Sequence, residues 1–296
     1  MFPAPTAIQA QYKPADGYEW SVLGIWDAEN RPRGASLSFY INKIKSNDSA
    51  LVKIYNSESE LIRTMKWAVD SGFNKKYWGM EERGYRQPNS PKPQPNSPEP
   101  GGAQVLPGNY KVVMTYADQS DSTSITVNDD PRLGNRNDVK LAQRKAADQL
   151  RKAGEKLSQA LDRITEAEEV CNKIINQLKG LDGKAIDSLR KTSNGLIEDI
   201  KKFRESINGK TSDKQGIVRS PFEVTVMSQW QTAQQAIGAK MVAPGPQEQQ
   251  LITNAENAIK STLNTINSFF ETKWTTYRKQ VEETKLNLFK EYKPIE

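Results

Sequence analysis

The sequence predicts a multidomain α+β protein, in which an antiparallel β-sandwich is followed by an antiparallel bundle of about four helices. Two observations lead to this fold class. Up to residue 131, short runs alternate apolar with polar side chains and are separated by turn residues, as strands do. Beyond residue 137, apolar side chains recur every three or four positions, as they do in amphipathic helices. The 296 residues leave room for a core in each part.

The β half is divided by its turns. Residues 1–33 are expected to be an extended N-terminal segment with strands, and residues 56–59 to be a short hairpin loop. The expected strands lie at 36–41, 51–55, 61–65, 75–78, 110–116 and 124–127. Short strands at this spacing, with no helical pattern between them, favour a sandwich of the immunoglobulin type over residues 34–131.

A proline-rich loop at 86–102 interrupts these strands. Within it, the motif Pro-Asn-Ser-Pro occurs twice, ending at Pro91 and at Pro98. The composition predicts an extended polyproline loop on the surface. One interpretation makes Pro91 and Pro98 contact residues that dock into an aromatic groove of a partner. The preferred interpretation is a tolerated insertion between two strands of the sandwich.

Residues 132–296 are expected to form the helical bundle. A first helix begins near Asn137 and carries apolar residues at steps of seven, as in a coiled coil. Its expected seam is Leu150, Leu157, Ile164, Cys171 and Leu178. A second amphipathic pattern runs over 186–207, a shorter one follows Pro221, and a long one covers 251–288. Four such apolar stripes are buried most simply in an antiparallel bundle.

Residues suited to catalysis or metal binding are scarce. The chain contains no histidine, which is the commonest general acid, general base and metal ligand. The single cysteine, Cys171, lies on the seam and is expected to be a buried, inert thiol. The adjacent acids Glu81–Glu82 and Asp129–Asp130 are the available carboxylate pairs, but acids in turns are more often solvated surface groups. We therefore expect no catalytic residue, metal site or cofactor.

The charge pattern bears on partners. The net charge is +6, and residues 132–296 hold 28 basic against 21 acidic residues. The two signs alternate along each expected helix, which indicates solvated helix faces and argues against nucleic acid. Trp20 and Trp26 are candidate contact residues that could stack on sugar rings, whereas Trp78 is expected in the core.

We expect no targeting or membrane-spanning segment within these residues. Residues 1–5 carry neither a basic nor an apolar leader region, and no apolar run approaches the length of a transmembrane helix. One cysteine excludes an internal disulfide. An intracellular protein and a fragment of an exported protein, whose leader lies upstream, both fit this pattern.

Several motifs between residues 29 and 132 resemble a known family. They are E-N-R-P-R-G-A at 29–35, V-K-I-Y at 52–55, G-F-N-K-K-Y-W at 72–78, L-P-G-N-Y-K-V at 106–112 and D-P-R at 130–132. This segment is similar to the immunoglobulin-like, flagellar hook-capping-like module that follows the β-propeller in bacterial BNR/Asp-box proteins. These are sortilin (Vps10)-like proteins, common in Bacteroidetes and often labelled glycosyl hydrolases or sialidase-like. Two positions depart from the family pattern: Arg31 stands where a second proline is common, and Gly79-Met80-Glu81 replaces W-D-L-R.

The resemblance implies an exported bacterial protein, located in the periplasm, on the outer membrane surface or outside the cell. Its partners would be proteins of an envelope or surface complex, including its own upstream propeller, or a glycan. No Asp-box occurs here, so no catalytic residue of the family is carried over. The leading hypothesis is a non-catalytic assembly or interaction region. The alternatives are part of a glycan- or peptide-hydrolysing enzyme whose active site lies in the propeller, and a polyanion-binding module.

Overall fold

A computed structural model describes residues 1–10, 32–44, 49–210 and 224–284. These residues form two compact units. The β unit comprises Met1–Tyr85 and Pro93–Arg144, and the helical unit comprises Arg86–Lys92 and Lys145–Glu296. The structure confirms a mixed α+β composition with mostly antiparallel strand pairing.

The described part of the β unit contains nine strands. They are β1 (Ala7–Gln9), β2 (Ala35–Ile41), β3 (Ser49–Tyr55), β4 (Leu61–Ala68), β5 (Gly72–Trp78), β6 (Glu81–Arg83), β7 (Gly101–Gln104), β8 (Gly108–Tyr116) and β9 (Gln119–Asp129). All six strand ranges predicted from the sequence lie inside these elements. Strands β6 and β7 were not predicted, because three or four residues are too short to show an alternation. Strand β1 lies within residues 1–33, where strands were expected without stated bounds.

The strands form one sheet of five and two pairs. The larger sheet has the order β1-β9-β8-β3-β4, and the pairs are β2-β5 and β6-β7. Pairing is antiparallel throughout the described strands except between β1 and β9, which run parallel. The connection between β3 and β4 is the predicted hairpin at 56–59, where Asn56 Oδ1 accepts hydrogen bonds from the backbone N–H groups of Glu58 and Glu60.

The five-stranded sheet and the β2-β5 pair share one hydrophobic core. Alternate residues of β2 point inward, and Leu37 and Phe39 are fully buried. The larger sheet contributes Val52, Ile54 and Val112 to the same cluster. Strands β2, β3 and β8 therefore each bury one face, as the alternation predicted.

Trp78, at the end of β5, is fully buried, which confirms its predicted place in the core. Its indole N–H donates to the carbonyl oxygen of Glu81 at 3.0 Å, and its ring meets that of Tyr110 edge-on, with centroids 5.5 Å apart. The only polar atom of the indole thus has a partner in the core.

The two Pro-Asn-Ser-Pro motifs form β-turns. The N–H of Ser90 donates to the carbonyl of Gln87, and the N–H of Ser97 donates to that of Gln94, each at 2.9 Å. Proline presets the second position of each turn, and Asn96 takes a left-handed φ of 78° at the third. The predicted extended polyproline conformation is therefore wrong at both motifs.

The described helices are α1 (Asn137–Gln177), α2 (Lys184–Asn208), α3 (Val226–Ala239), α4 (Pro246–Phe269), a π-helical turn (Phe270–Trp274) and α5 (Thr275–Glu283). The boundary between the two units, at Arg144, falls within α1. All five residues of the predicted α1 seam are buried. The chain from α4 to α5 covers the described part of the long fourth helix expected from the sequence, with a π turn that was not predicted.

Local sequence explains several helix ends. Helix α2 ends at Asn208, and Gly209 follows with a φ of 85°, which glycine adopts without strain. Helix α3 begins at a capping box, in which the Thr225 side chain accepts from the Ser228 N–H at 3.0 Å and Ser228 Oγ accepts from the Thr225 N–H at 2.8 Å. Pro246 occupies the first turn of α4, where its missing N–H costs nothing.

Candidate functional site

An exposed group of aromatic rings lies on the β2-β5 pair of the β unit. Residues Phe2, Tyr40, Phe73 and Tyr77, here called the aromatic face, are exposed although their ring systems are large. Tyr40 and Phe73 are 61% and 62% exposed. Solvent-facing positions of a half-buried strand normally carry polar side chains, so three rings at such positions are unusual.

Strand pairing and a terminal contact bring these rings together. Tyr40 of β2 is directly opposite Phe73 of β5 in the antiparallel register. The ring centroids of Phe2 and Phe73 are 5.7 Å apart, and the backbone N–H of Phe2 donates to the carbonyl of Ser38 at 2.9 Å. The N-terminal residues are therefore attached to β2 and extend the face beyond it.

A basic side chain borders the aromatic face. The Lys75 ammonium lies 5.8 Å from the centroid of the Tyr77 ring, a distance suited to a cation–π contact. The other outward residues of β2 are Ser36 and Ser38. The face thus offers flat apolar area with few hydrogen-bonding groups.

None of the four predicted contact residues is among the residues of the aromatic face. Trp20 and Trp26 lie outside the residues that the structure describes. Pro91 and Pro98 are exposed and directly follow the two turns of the proline-rich loop. The aromatic face was not singled out from the sequence, although Tyr40 and Phe73 at solvent-facing positions of alternating strands were a readable signal.

The proline-rich loop is divided between the two units. In the helical unit, Arg86 makes a bidentate contact with Asp162 at 2.7 and 2.9 Å, and Lys92 lies 2.5 Å from Glu166. In the β unit, a Glu99 carboxylate oxygen accepts the Thr64 backbone N–H at 2.8 Å. Each part of the loop is thus held within the unit to which it belongs.

The first candidate carboxylate pair, Glu81–Glu82, is held by basic side chains. Glu81 lies 3.2 Å from a guanidinium nitrogen of Arg63, which is buried, and Glu82 is bound by Arg144. The two acids therefore have separate basic partners.

The second pair, Asp129–Asp130, is arranged in the same way. Asp129 is bound by Lys140, and Asp130 lies 2.6 Å from a guanidinium nitrogen of Arg132. The Arg132 guanidinium and backbone N–H lower the pKa of Asp130 to about 2. A general acid for glycoside cleavage needs a raised pKa, so the shift runs in the opposite direction.

In the described ranges, no group of three or more His, Cys, Asp or Glu side chains is placed to hold a metal ion. No helix among the described residues is long and apolar enough to span a membrane.

Cys171 lies in a buried polar chain of the helical unit. The thiol is fully buried and is hydrogen-bonded with the Tyr277 hydroxyl, which lies 2.8 Å from Ser193 Oγ. Ser193 Oγ also donates to the carbonyl of Leu189 at 2.8 Å. Burial raises the pKa of Cys171 to about 11 and that of Tyr277 to about 12. A thiol in this setting is protonated near neutral pH and is poorly nucleophilic.

We expect Cys171 to react slowly with a disulfide reagent such as DTNB while the protein is folded, and rapidly in urea. The raised pKa alone reduces the thiolate fraction by roughly a hundredfold, and burial adds to this. Stopped-flow labelling in buffer and in urea measures both rates. Equal rates would place Cys171 at the surface and shift the register assigned to α1.

The same thiol makes stability depend on alkaline pH. Below pH 9.0, its ordinary pKa, the thiol is protonated in both the folded and the unfolded chain, so its contribution is fully present. As the pH rises toward about 11, the unfolded chain ionises first, and the free energy of unfolding falls. Urea titrations across this range should show a shallower decline for Cys171→Ala than for the unchanged protein. If the free energy of unfolding falls equally with pH in the variant and in the unchanged protein, the pKa of Cys171 is not raised.

The fold and the site thus define a mixed α+β protein with an exposed aromatic face on its β unit. No protein-family model matches the chain, and no similar protein was found among curated proteins or solved structures.

Proposed function

We propose that this chain is a non-catalytic interaction module whose β unit docks onto a protein partner through the aromatic face. The aromatic face is the observation that carries the proposal. The rings of Tyr40 and Phe73, which are 61% and 62% exposed, leave apolar area in contact with water. A partner that covers them stabilises the complex by about 25 cal/mol for each Å² of apolar surface buried. Aromatic side chains are also enriched at the centres of protein interfaces.

The composition of the face favours a protein over a glycan. A sugar ring that stacks on an aromatic side chain still needs polar partners for its hydroxyl groups. Around Tyr40 and Phe73, the outward side chains available are Ser36, Ser38 and Lys75. Two of the four rings are phenylalanines, which have no polar group to offer. Apolar side chains of a folded partner satisfy such a surface better.

The wider context extends this proposal. The shared core of the two packed sheets supports a sandwich of the immunoglobulin type, and the buried stripes of α1 to α5 support an antiparallel bundle. With the motifs of residues 29–132, this favours the C-terminal region of an exported bacterial propeller protein. The partner would then belong to an envelope or surface complex, with the protein's own propeller among the candidates.

Site-specific photo-crosslinking tests the proposal. Benzoylphenylalanine replaces Phe73 in the full-length protein inside the organism that makes it, and Lys111, an exposed residue of β8, is the matched control position. We expect one discrete protein adduct from position 73 and none from position 111. The adduct from position 73 should disappear when Tyr40 and Tyr77 are both changed to serine.

Other outcomes would overturn the proposal. Equal adducts from both positions would show a surface without specificity, and the absence of any adduct at position 73 would show an uncovered face. Hydrolysis of aryl glycosides that is abolished by Glu81→Gln or Asp129→Asn would make the enzyme alternative the leading one.

A further inference from the structure

The helical unit contains a groove of about 710 Å³ that differs in chemistry from the aromatic face. It lies between the N-terminal half of α1 and the second half of α4. Four lysines border it: Lys145, Lys152 and Lys156 on α1, and Lys260 on α4. We call it the lysine groove.

Its positive charge is largely uncompensated. Among the described residues, Lys145, Lys156 and Lys260 take part in no ion pair, whereas Lys152 lies 3.1 Å from Asp148. Asp148 is also bound by Arg151 at 2.5 Å, so this carboxylate is shared between two cations.

The remaining acid of the groove, Glu256, accepts a hydrogen bond from the Gln149 side-chain amide at 3.0 Å. Four lysines thus face two carboxylates, and one of these is already engaged outside the groove.

A second groove of the same unit provides a contrast. It lies between α2 and the chain around the π turn, and its two lysines, Lys202 and Lys273, both lie within 4 Å of Asp199. Its charges therefore compensate one another internally. The lysine groove differs because three of its four lysines, Lys145, Lys156 and Lys260, take part in no ion pair among the described residues.

The three lysines of α1 are spaced for an extended ligand. Positions 145, 152 and 156 lie on one face of the helix, and their Cα atoms rise by about 10 Å and then about 6 Å along the axis. A single small anion would reach one or two of these ammonium groups. A chain that carries several separated anionic groups would reach all of them.

The walls and floor of the groove indicate the kind of chain. Side-chain amides form much of the walls, from Gln149, Asn257, Asn264 and Asn267. Amides donate and accept hydrogen bonds, as sugar hydroxyl groups do. The floor provides a small aliphatic patch from Ala153, Ile259 and Leu263.

These features argue against two other kinds of ligand, a nucleic acid and an amphipathic helix. None of the described residues that line the groove is aromatic, so nucleic-acid bases would have no ring on which to stack. Its apolar floor is only three residues, against ten polar lining residues, so it provides no continuous stripe for an amphipathic helix.

We infer that the lysine groove binds an acidic oligosaccharide. The lysines would pair with its carboxylate or sulfate groups, and the side-chain amides would hydrogen-bond with its hydroxyl groups. Its volume is within the range of small-molecule sites. This site is independent of the aromatic face, so either proposal stands if the other fails.

Calorimetric titration of the purified chain tests the inference with four probes: an oligogalacturonate, a heparin oligosaccharide, the neutral galactose oligomer of equal length, and poly-L-glutamate. We expect saturable binding of at least one acidic oligosaccharide, none of the neutral oligomer, and weaker binding of polyglutamate. Affinity should fall as salt is added, because ammonium contacts are screened.

Two sets of variants separate the roles of charge and hydroxyl recognition. The double variant Lys156→Gln with Lys260→Gln should bind the acidic oligosaccharide about tenfold or more weakly than the unchanged protein. The matched control, Lys191→Gln with Lys201→Gln, removes the same charge from two exposed lysines of α2 and should change affinity little. The double variant Asn257→Ala with Asn264→Ala should bind the acidic oligosaccharide more weakly, whereas its affinity for polyglutamate should not change.

The inference is overturned if neither acidic oligosaccharide binds, or if the neutral oligomer binds equally well. It is also overturned if polyglutamate binds as tightly and the asparagine variants have no effect, because the groove would then attract any polyanion. If the groove variant and the control variant lose affinity equally, the oligosaccharide binds outside the groove.

Discussion

Replacing Trp78 by alanine is expected to destabilise the β unit by about 3–5 kcal/mol, which is the usual cost of removing a large aromatic side chain from a packed core. The indole is fully buried and packs edge-on against Tyr110. Its removal leaves a cavity and deprives the Glu81 carbonyl of its hydrogen bond. Such a loss is a large part of the roughly 5–15 kcal/mol that stabilises a typical domain.

Tyr77→Ala is the matched control, because Tyr77 is the preceding residue of β5 and points to the opposite, exposed face. It should change stability by well under 1 kcal/mol. Hydrogen-exchange mass spectrometry is the suitable measurement, since it reports the strands separately from the helices. Comparable losses of protection in both variants would contradict the assignment of Trp78 to the core and of Tyr77 to the surface.

Gly154→Ala is expected to destabilise the protein, although alanine favours helices by about 1 kcal/mol over glycine. Gly154 is buried within α1, and a Cβ atom there would lie 2.9 Å from Nε1 of Trp230. Trp230 is fully buried, so its rigid ring has no room to move away. Overpacking of this kind typically costs about 1–3 kcal/mol, which exceeds the gain in helix propensity.

Gly195→Ala, which also lies within a helix, is expected to have the opposite effect on stability. Gly195 lies inside α2, is exposed, and has no atom within 4 Å of an added Cβ. Alanine there should stabilise the protein by about 0.5–1 kcal/mol. Urea unfolding followed by far-ultraviolet circular dichroism measures both variants. If Gly154→Ala also stabilises the protein, Trp230 does not pack on Gly154.

Much of the fold was accessible from local sequence. Alternation in residues 36–41 predicted the strand β2, and the step of seven from Leu150 predicted both α1 and the burial of Cys171. These predictions work because the period of a strand or helix decides which side chains share a face. The face richer in apolar residues is then the one that is buried.

The short elements escaped such reasoning. Strands β6 and β7 are held by pairing with one another, and β1 is held by parallel pairing with β9. None of them has a period long enough to recognise. The π turn at Phe270–Trp274 has the same composition as the helix around it, so only its backbone hydrogen bonding distinguishes it.

The sequence by itself determined which side chains are available for function: no histidine, one cysteine on a helical seam, and an excess of basic residues after residue 131. Only the tertiary structure decided where the exposed groups meet. It brings Tyr40 opposite Phe73, pairs Glu81 with Arg63 and Glu82 with Arg144, and gathers lysines of α1 and α4 around one groove. Each of these arrangements joins residues that are distant in sequence, through strand register or helix packing, and local periodicity carries no information about which distant partner a face will meet.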